Sequence, residues 1–293
     1  MKLLVTGCRG QLGLALARVA PGRAHIVVGF DLPELDITQE AAVLSAVKSI
    51  HPDAIINCAA FTAVDAAESQ EETALAVNGT AVGHLARAAD DCGALLLQVS
   101  TDYVFDGTAA WPYREDDTVR PASVYGRTKL AGEKAALAAA KGLVVRTAWL
   151  FGEGNNFVEA ICRQLAAGAL SLRVVDDQTG CPTYADDLAE ALLGLIERGA
   201  TGIFHAVNAG STTWCGFARE ILRQLGAAIE VVPITTKDAA RPAPRPLRSI
   251  LDTARLESVL GTPLPPWPDA LARYLAATGR IVRGSGGRRG SCY

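Results

Sequence analysis

What this sequence lacks narrows its function before any motif is read. It has no Cys-x-x-Cys pair: Cys8, Cys58, Cys92, Cys162, Cys181, Cys215 and Cys292 form an odd, scattered set. That excludes a disulfide framework and a zinc site of the paired-cysteine kind, and reads as reduced thiols. No apolar run is long enough to span a bilayer, and the first one meets a glycine turn after four residues instead of building a signal-peptide core. There is no basic stripe either. The 28 Lys and Arg stand against 31 Asp and Glu, leaving a net charge of −3, so neither nucleic acid nor an anionic membrane is expected as the main partner. His25, His51, His84 and His205 are isolated from one another and are expected to be structural or exposed. Internal repeats are absent. The expectation is a soluble, cytoplasmic protein.

What is present is 49% hydrophobic residues over 293 positions, more than one ordinary domain needs for its core. Apolar strand-like runs alternate with helical patterns: Lys2-Leu3-Leu4-Val5, His25 to Phe30, Ala54 to Asn57, Leu95 to Val99 and Leu143 to Arg146, with one long helix expected from Ser69 to Asp91. Alternation of this kind implies βαβ units, and continuously apolar strands imply a parallel sheet covered on both faces. The fold class is therefore α/β, a Rossmann-type doubly wound parallel sheet with a smaller C-terminal substrate-binding lobe. After Trp149 the alternation is lost, and the Pro-rich stretches 241–246 and 263–268 suggest a lobe assembled from separated segments. We expect a dinucleotide-binding domain over 1–147 with a returning segment at 184–206, a lobe over 148–183 and 207–283, and a disordered tail over 284–293, which is rich in Gly, Arg and Ser.

The first strand passes through Thr6 into Gly7-Cys8-Arg9-Gly10-Gln11-Leu12-Gly13 and an Ala/Leu-rich helix. Strand, glycine turn and helix N-terminus make an anion cradle, because the backbone turns tightly and the open N–H groups face a pyrophosphate. The second strand ends at Asp31, whose carboxylate can accept from an adenosine ribose. Further along, VYGRTKLAGEK places Tyr125 and Lys129 four residues apart on one helical face. A phenol titrates near pH 10, so a Tyr that gives a proton to a carbonyl at neutral pH needs a neighbouring cation to stabilise its phenolate. Ser100 and Thr101 leave the fourth strand at the carboxyl end of the sheet, where a hydroxyl can donate to a substrate carbonyl oxygen.

These three motifs in this order resemble the extended short-chain dehydrogenase/reductase superfamily. Within it, GQLG, NCAAFTAVDAAE, STDYVFDG, YGRTKLAGE, RTAWLFG, NNFV and DDQTGCPTY are similar to the dTDP-4-dehydrorhamnose reductase family over residues 1 to about 275. The resemblance implies NADPH or NADH as cofactor and dTDP-4-dehydro-L-rhamnose as substrate. It implies Tyr125 as proton donor to the C4 ketone oxygen, Thr101 as a ligand of that oxygen, and Lys129 as holder of the nicotinamide ribose. Asp102 and Trp149 match positions that contact the sugar nucleotide. Gly10, Gln11 and Leu12 match the pyrophosphate site, Asp31 with Asp36 and Ile37 the adenosine end, and Ala60, Phe61 and Thr62 the path of the dinucleotide. Asn155, Asn156, the 178–183 stretch, Arg245 and Ser249 are candidates for the nucleotide end of the substrate, although each also reads as an ordinary loop residue.

Two departures matter. Phe61 stands where the family pattern has a histidine. Ala15 stands where some members carry a carboxylate of a metal-bridged dimer, so no metal is expected, and the chain is read as a monomer or homodimer. Asp31 favours NADH, whereas Arg9 could neutralise a 2′-phosphate, so use of both cofactors is expected. Two other readings stay open: a reductase or epimerase of another nucleotide sugar, and a noncatalytic subunit resembling that of methionine adenosyltransferase.

Overall fold

The computed structural model describes residues 1–281; the tail expected over 284–293 lies outside them. Strands β1 (Lys2–Thr6), β2 (Ile26–Phe30), β3 (Ala54–Asn57), β4 (Leu95–Thr101) and β5 (Gly142–Thr147) lie parallel in the order β2-β1-β3-β4-β5. Strand β1 therefore sits inside the sheet, and the chain reverses its winding between β1 and β3. In such a sheet the ligand crevice opens there, at the carboxyl ends of the strands.

The pleat sorts the apolar residues onto two faces. Leu3, Val5, Ile56, Leu97 and Val145 meet helix α1 (Gln11–Val19) on one side; Leu4, Ile55, Leu96 and Val144 meet α2 (Glu40–Ile50) on the other. Covering both faces explains why these strands read as unbroken apolar runs.

The helix expected from Ser69 to Asp91 is broken. Short helices α3 (Val64–Ala67) and α4 (Glu71–Leu75) run into a π-helical turn, Ala76–Thr80, and then α5 (Ala81–Cys92). The turn buries Asn78, which accepts from the Phe61 N–H at 2.8 Å and donates to the Phe61 carbonyl at 3.1 Å. Widening the helix thus satisfies a loop that neither sheet nor helix reaches, and π-bulges recur at functional sites for this reason.

Helix α6 (Val124–Leu137) begins at Ser123, whose hydroxyl accepts the Gly126 N–H at 3.1 Å, a side-chain N-cap. It seats close to its neighbours: a Cβ on Gly126 would lie 2.2 Å from the Tyr103 carbonyl, and one on Gly132 2.1 Å from that of Asn78. These contacts fix Tyr125 and Lys129 against the end of β4.

The remaining strands are β6 (Leu150–Phe151), β7 (Ser171–Val175), β8 (Thr179–Gly180), β9 (Thr183–Tyr184), β10 (Gly202–His205), β11 (Thr212–Thr213) and β12 (Glu230–Ile234). Strand β10 returns to the main sheet beside β5. The others pair among themselves, β7 with β12, β6 with β9 and β8 with β11. Helices α7 (Phe157–Ala166), α8 (Ala185–Glu197), α9 (Trp214–Leu225), α10 (Thr236–Ala239), α11 (Ala254–Leu260) and α12 (Trp267–Ala277) complete the chain. Helix α8 packs on α1, whereas α7, α9, α12 and β7 enclose a separate core around Phe151, Ile161, Phe217 and Leu271. No helix among the described residues is long and apolar enough to cross a membrane.

Candidate active site

A cleft of about 1120 Å³ follows the carboxyl ends of β1 to β5. At one end, Gly7 adopts a left-handed φ of +66°, and a Cβ on Gly13 would come within 2.5 Å of the Gly7 carbonyl. Only glycines permit this turn. No side chain caps α1 at Gly10 and its first turn, which borders the cleft, holds no acid, so its N–H groups are left for a ligand to satisfy. An anion with close backbone contact fits this cradle, and the pyrophosphate of a dinucleotide has that form.

At the end of β2, Asp31 accepts the Arg9 and Leu32 backbone N–H groups, both at 2.9 Å. The Arg9 guanidinium reaches the Leu32 carbonyl at 2.6 Å and pairs with Glu34 on the surface. Asp36 turns inward on its own segment and bonds Thr38 at 2.7 Å, and Ile37 is buried beneath it. Leu12, Ala60, Phe61 and Thr62 line the same cleft; Phe61 is held through its backbone by Asn78, so its ring is not needed to fix the loop.

Thr101, Asp102, Tyr125, Lys129 and Trp149 line the cleft toward its other end. Tyr125 stands edge-on to Tyr103, with ring centroids 5.5 Å apart. Burial pushes the Tyr125 phenol up to about 12; the Thr101 hydroxyl opposes that rise and Asp102 adds to it. Lys129 donates to the Val99 carbonyl at 2.6 Å. Desolvation brings its ammonium down to about 8, with Glu133 and then Cys58 acting against the fall. The sequence led us to expect Lys129 to depress Tyr125 directly. Here enclosure dominates the phenol, and the ammonium is tied to a backbone carbonyl.

Asp102 is 2% exposed. Its Oδ1 accepts from Thr101 at 3.0 Å, while its Oδ2 has no partner. Burial raises this carboxyl to about 6; the nearby Ser249 hydroxyl, which makes no well-formed hydrogen bond to it, and the Thr101 hydroxyl act against that rise. Asp102 lines the cleft, although Oδ2 itself is closed to solvent, so a ligand hydroxyl pairs with it only if the wall shifts. Trp149 has φ +46°, a strained position for a bulky residue, and stacks on Trp214 with centroids 3.5 Å apart. The Trp214 Nε1–H is held by Gln178 at 3.2 Å.

Other candidates lie elsewhere. Arg245 does not line the cleft: it pairs with Asp65 at 3.0 Å and bonds the Ala243 carbonyl, bracing the 241–246 loop. Asn156 caps α7 by accepting the Glu159 N–H at 3.1 Å. Asn155 does line the cleft, and its carbonyl accepts from Gln11 at 3.3 Å, at the glycine-turn end. Sequence reasoning missed Trp214 and Asn78. Tyr103 sits within a motif already noticed, but Trp214 and Asn78 carry no local signal. Among the described residues, no group of three or more His, Cys, Asp or Glu side chains could hold a metal ion.

The sheet order, the glycine cradle and the Tyr125–Lys129 helix beside Thr101 define the class, a Rossmann-fold reductase of the extended short-chain type. The family described as RmlD substrate binding domain matches residues 1–280, and the chain belongs to it. A "dTDP-4-dehydrorhamnose reductase" of Streptomyces griseus is 47% identical over 290 residues, 96% of this chain and 95% of that protein. A crystal structure of a dTDP-4-dehydrorhamnose reductase from Clostridium acetobutylicum superposes with a TM-score of 0.92 at 40% identity, covering 95% of this chain and 100% of that one. Another from Bacillus anthracis, in complex with NADP, gives 0.91 at 34% identity, covering 94% and 99%.

Proposed function

We propose that the protein reduces the C4 ketone of dTDP-4-dehydro-L-rhamnose to give dTDP-L-rhamnose, with NADPH or NADH as reductant. The observation that carries this reading is that Tyr125, Lys129 and Thr101 line the same cleft as the glycine cradle, so acid and dinucleotide site share one space. The names of the relatives and the NADP complex of one of them support the choice of substrate and cofactor.

Gly7, Gly10, Gln11, Leu12 and Gly13 would hold the pyrophosphate, Asp31 the adenosine ribose, and Ala60 to Thr62 the run between. Asp36 and Ile37 would border the adenine, and Lys129 the nicotinamide ribose. A reduced nicotinamide bound there supplies a hydride to the ketone carbon. Tyr125, protonated at neutral pH, gives its proton to the C4 oxygen. Thr101 turns its hydroxyl to the same oxygen and then to the tyrosinate, while the Lys129 ammonium stabilises that anion as it forms. Asp102 borders the sugar hydroxyls beside Thr101, and the Trp149–Trp214 stack forms the apolar wall against which the hexose lies; Asn155, held to Gln11 at the glycine-turn end, is set apart from the sugar-nucleotide contacts. The division into a dinucleotide-binding unit over 1–147 and 184–206 and a lobe over 148–183 and 207–283 belongs to this reading.

The test is turnover of dTDP-4-dehydro-L-rhamnose with each cofactor, beside the same hexulose carried on UDP. Preferential reduction of the dTDP sugar is the expected result. Equal or better use of the UDP sugar, or no turnover with either, would contradict it.

A further inference from the structure

One buried ion pair has no part in the mechanism above. Glu133 follows Lys129 by four residues on α6, as Lys129 follows Tyr125, so the three share a face of the helix. Glu133 is 1% exposed and Arg146, on β5, 2%. The pair is bidentate, Nε to Oε1 at 2.9 Å and Nη2 to Oε2 at 2.8 Å, and the Ser100 hydroxyl donates to Oε1 at 2.6 Å. Ser100 precedes Thr101 and lies in register with Arg146 across β4 and β5. Burying such a pair adds little to stability compared with apolar residues of similar volume, so its place one turn from a buried lysine invites another explanation.

We propose that Glu133 is a positioning residue for the reduction, keeping the Lys129 side chain charged beneath the reacting centre while Arg146 and Ser100 hold the carboxylate in place. The proposal rests on the reading that Lys129 serves as an ammonium. Lys129 is 3% exposed, and its one hydrogen bond goes to a neutral carbonyl. Enclosure alone favours the uncharged amine, which could not stabilise a tyrosinate by its charge. The groups that face this network are few. Tyr125 and Glu133 lie on α6 itself, and the Cys58 thiol, held up near 12 by burial, comes from the end of β3. Arg146 also donates to the Glu115 carbonyl at 3.3 Å and faces the His205 Nε2 at 3.4 Å. Burial and Arg146 hold His205 down to about 3, so it is neutral and does not compete for Glu133, and burial raises the Glu115 carboxyl. Glu133 is thus the carboxylate whose field opposes the desolvation of Lys129.

The test is titration of the Lys129 side-chain nitrogen by NMR in the free protein, with the resonance assigned through Lys129→Arg. Glu133→Gln should move the midpoint down by about one pH unit, and the alkaline limb of kcat/KM should move with it, so that activity returns at lower pH. Glu133→Gln combined with Arg146→Gln avoids leaving the guanidinium buried without its carboxylate, and should keep a downward shift if the single variant folds poorly. Glu133→Asp should restore most of the wild-type midpoint. An unchanged midpoint in a folded variant, with activity lowered evenly at every pH, would overturn the proposal. Failure of the reductase reading would appear separately, as absent turnover in a protein whose Lys129 titration still responds to Glu133→Gln.

Discussion

At the scale of the residue, enclosure decides the charge of each group at the reacting end of the cleft. Tyr125 is kept protonated, Lys129 is brought toward neutrality, and Asp102 is brought toward the neutral range from below. The last shift gives a stability signature. A carboxyl raised from 3.8 to about 6 on folding stabilises the protein fully below pH 4, and that contribution is lost as pH rises through 6. Ionised Asp102 therefore destabilises the free protein at neutral pH by about 3 kcal/mol. Asp102→Asn should gain stability relative to wild type between pH 4 and pH 7 while losing affinity for the sugar nucleotide. Denaturant melts at both pH values check this; a difference independent of pH would count against it. Lys129 sets a second limit. Because its ammonium titrates near 8 in the free protein, kcat/KM should fall on the alkaline side with a midpoint near that pH, as a pH–rate profile would reveal.

The elements show what a local pattern can and cannot carry. The glycine turn, the end of β2 at Asp31 and the Tyr125–Lys129 helix were legible because each is contiguous: a few neighbouring residues determine both the backbone path and the chemistry. The π-helical turn was not. Asn78 belongs to a segment with ordinary helical apolar spacing, and its reason for leaving that spacing is the backbone of Phe61 on another loop. Trp214 was missed for the same reason, since it meets Trp149 only after β8, β11 and α9 fold together. Arg245 erred in the opposite sense: its charge suggested a diphosphate, but Asp65 holds it. If the turn exists to seat the dinucleotide loop, Asn78→Ala should leave two backbone groups unpaired, at about 1–3 kcal/mol. It should also raise the KM for the cofactor more than it lowers kcat. Thermal melts and steady-state kinetics test both parts, and an unchanged cofactor KM would reduce the turn to a packing feature.

For the whole molecule, alternation of strands and helices in the first half determined a parallel sheet with its crevice at the carboxyl ends, and the six-stranded sheet has that form. The second half resisted the same reasoning because its two-stranded ladders are short and pair residues far apart in sequence. The cleft lies where both halves contribute walls, so choice of cofactor belongs to this scale. Arg9 and Asp31 stand together at one end, and the exposed Arg9–Glu34 pair is weak enough to open for a phosphate. Arg9→Ala should lower kcat/KM for NADPH by about tenfold and leave that for NADH nearly unchanged. Equal losses with both cofactors would remove Arg9 from the phosphate site.

The central claim is that this cleft delivers a hydride to C4 while Tyr125 delivers the proton. It is tested most directly by incubating the protein with dTDP-4-dehydro-L-rhamnose and cofactor deuterated at the transferable position, beside a Tyr125→Phe variant. The account calls for one deuterium at C4 of a dTDP-L-rhamnose product, and for a rate lowered about 10²–10⁴-fold in the variant with cofactor affinity retained. Product without deuterium, or a variant as fast as wild type, would contradict it.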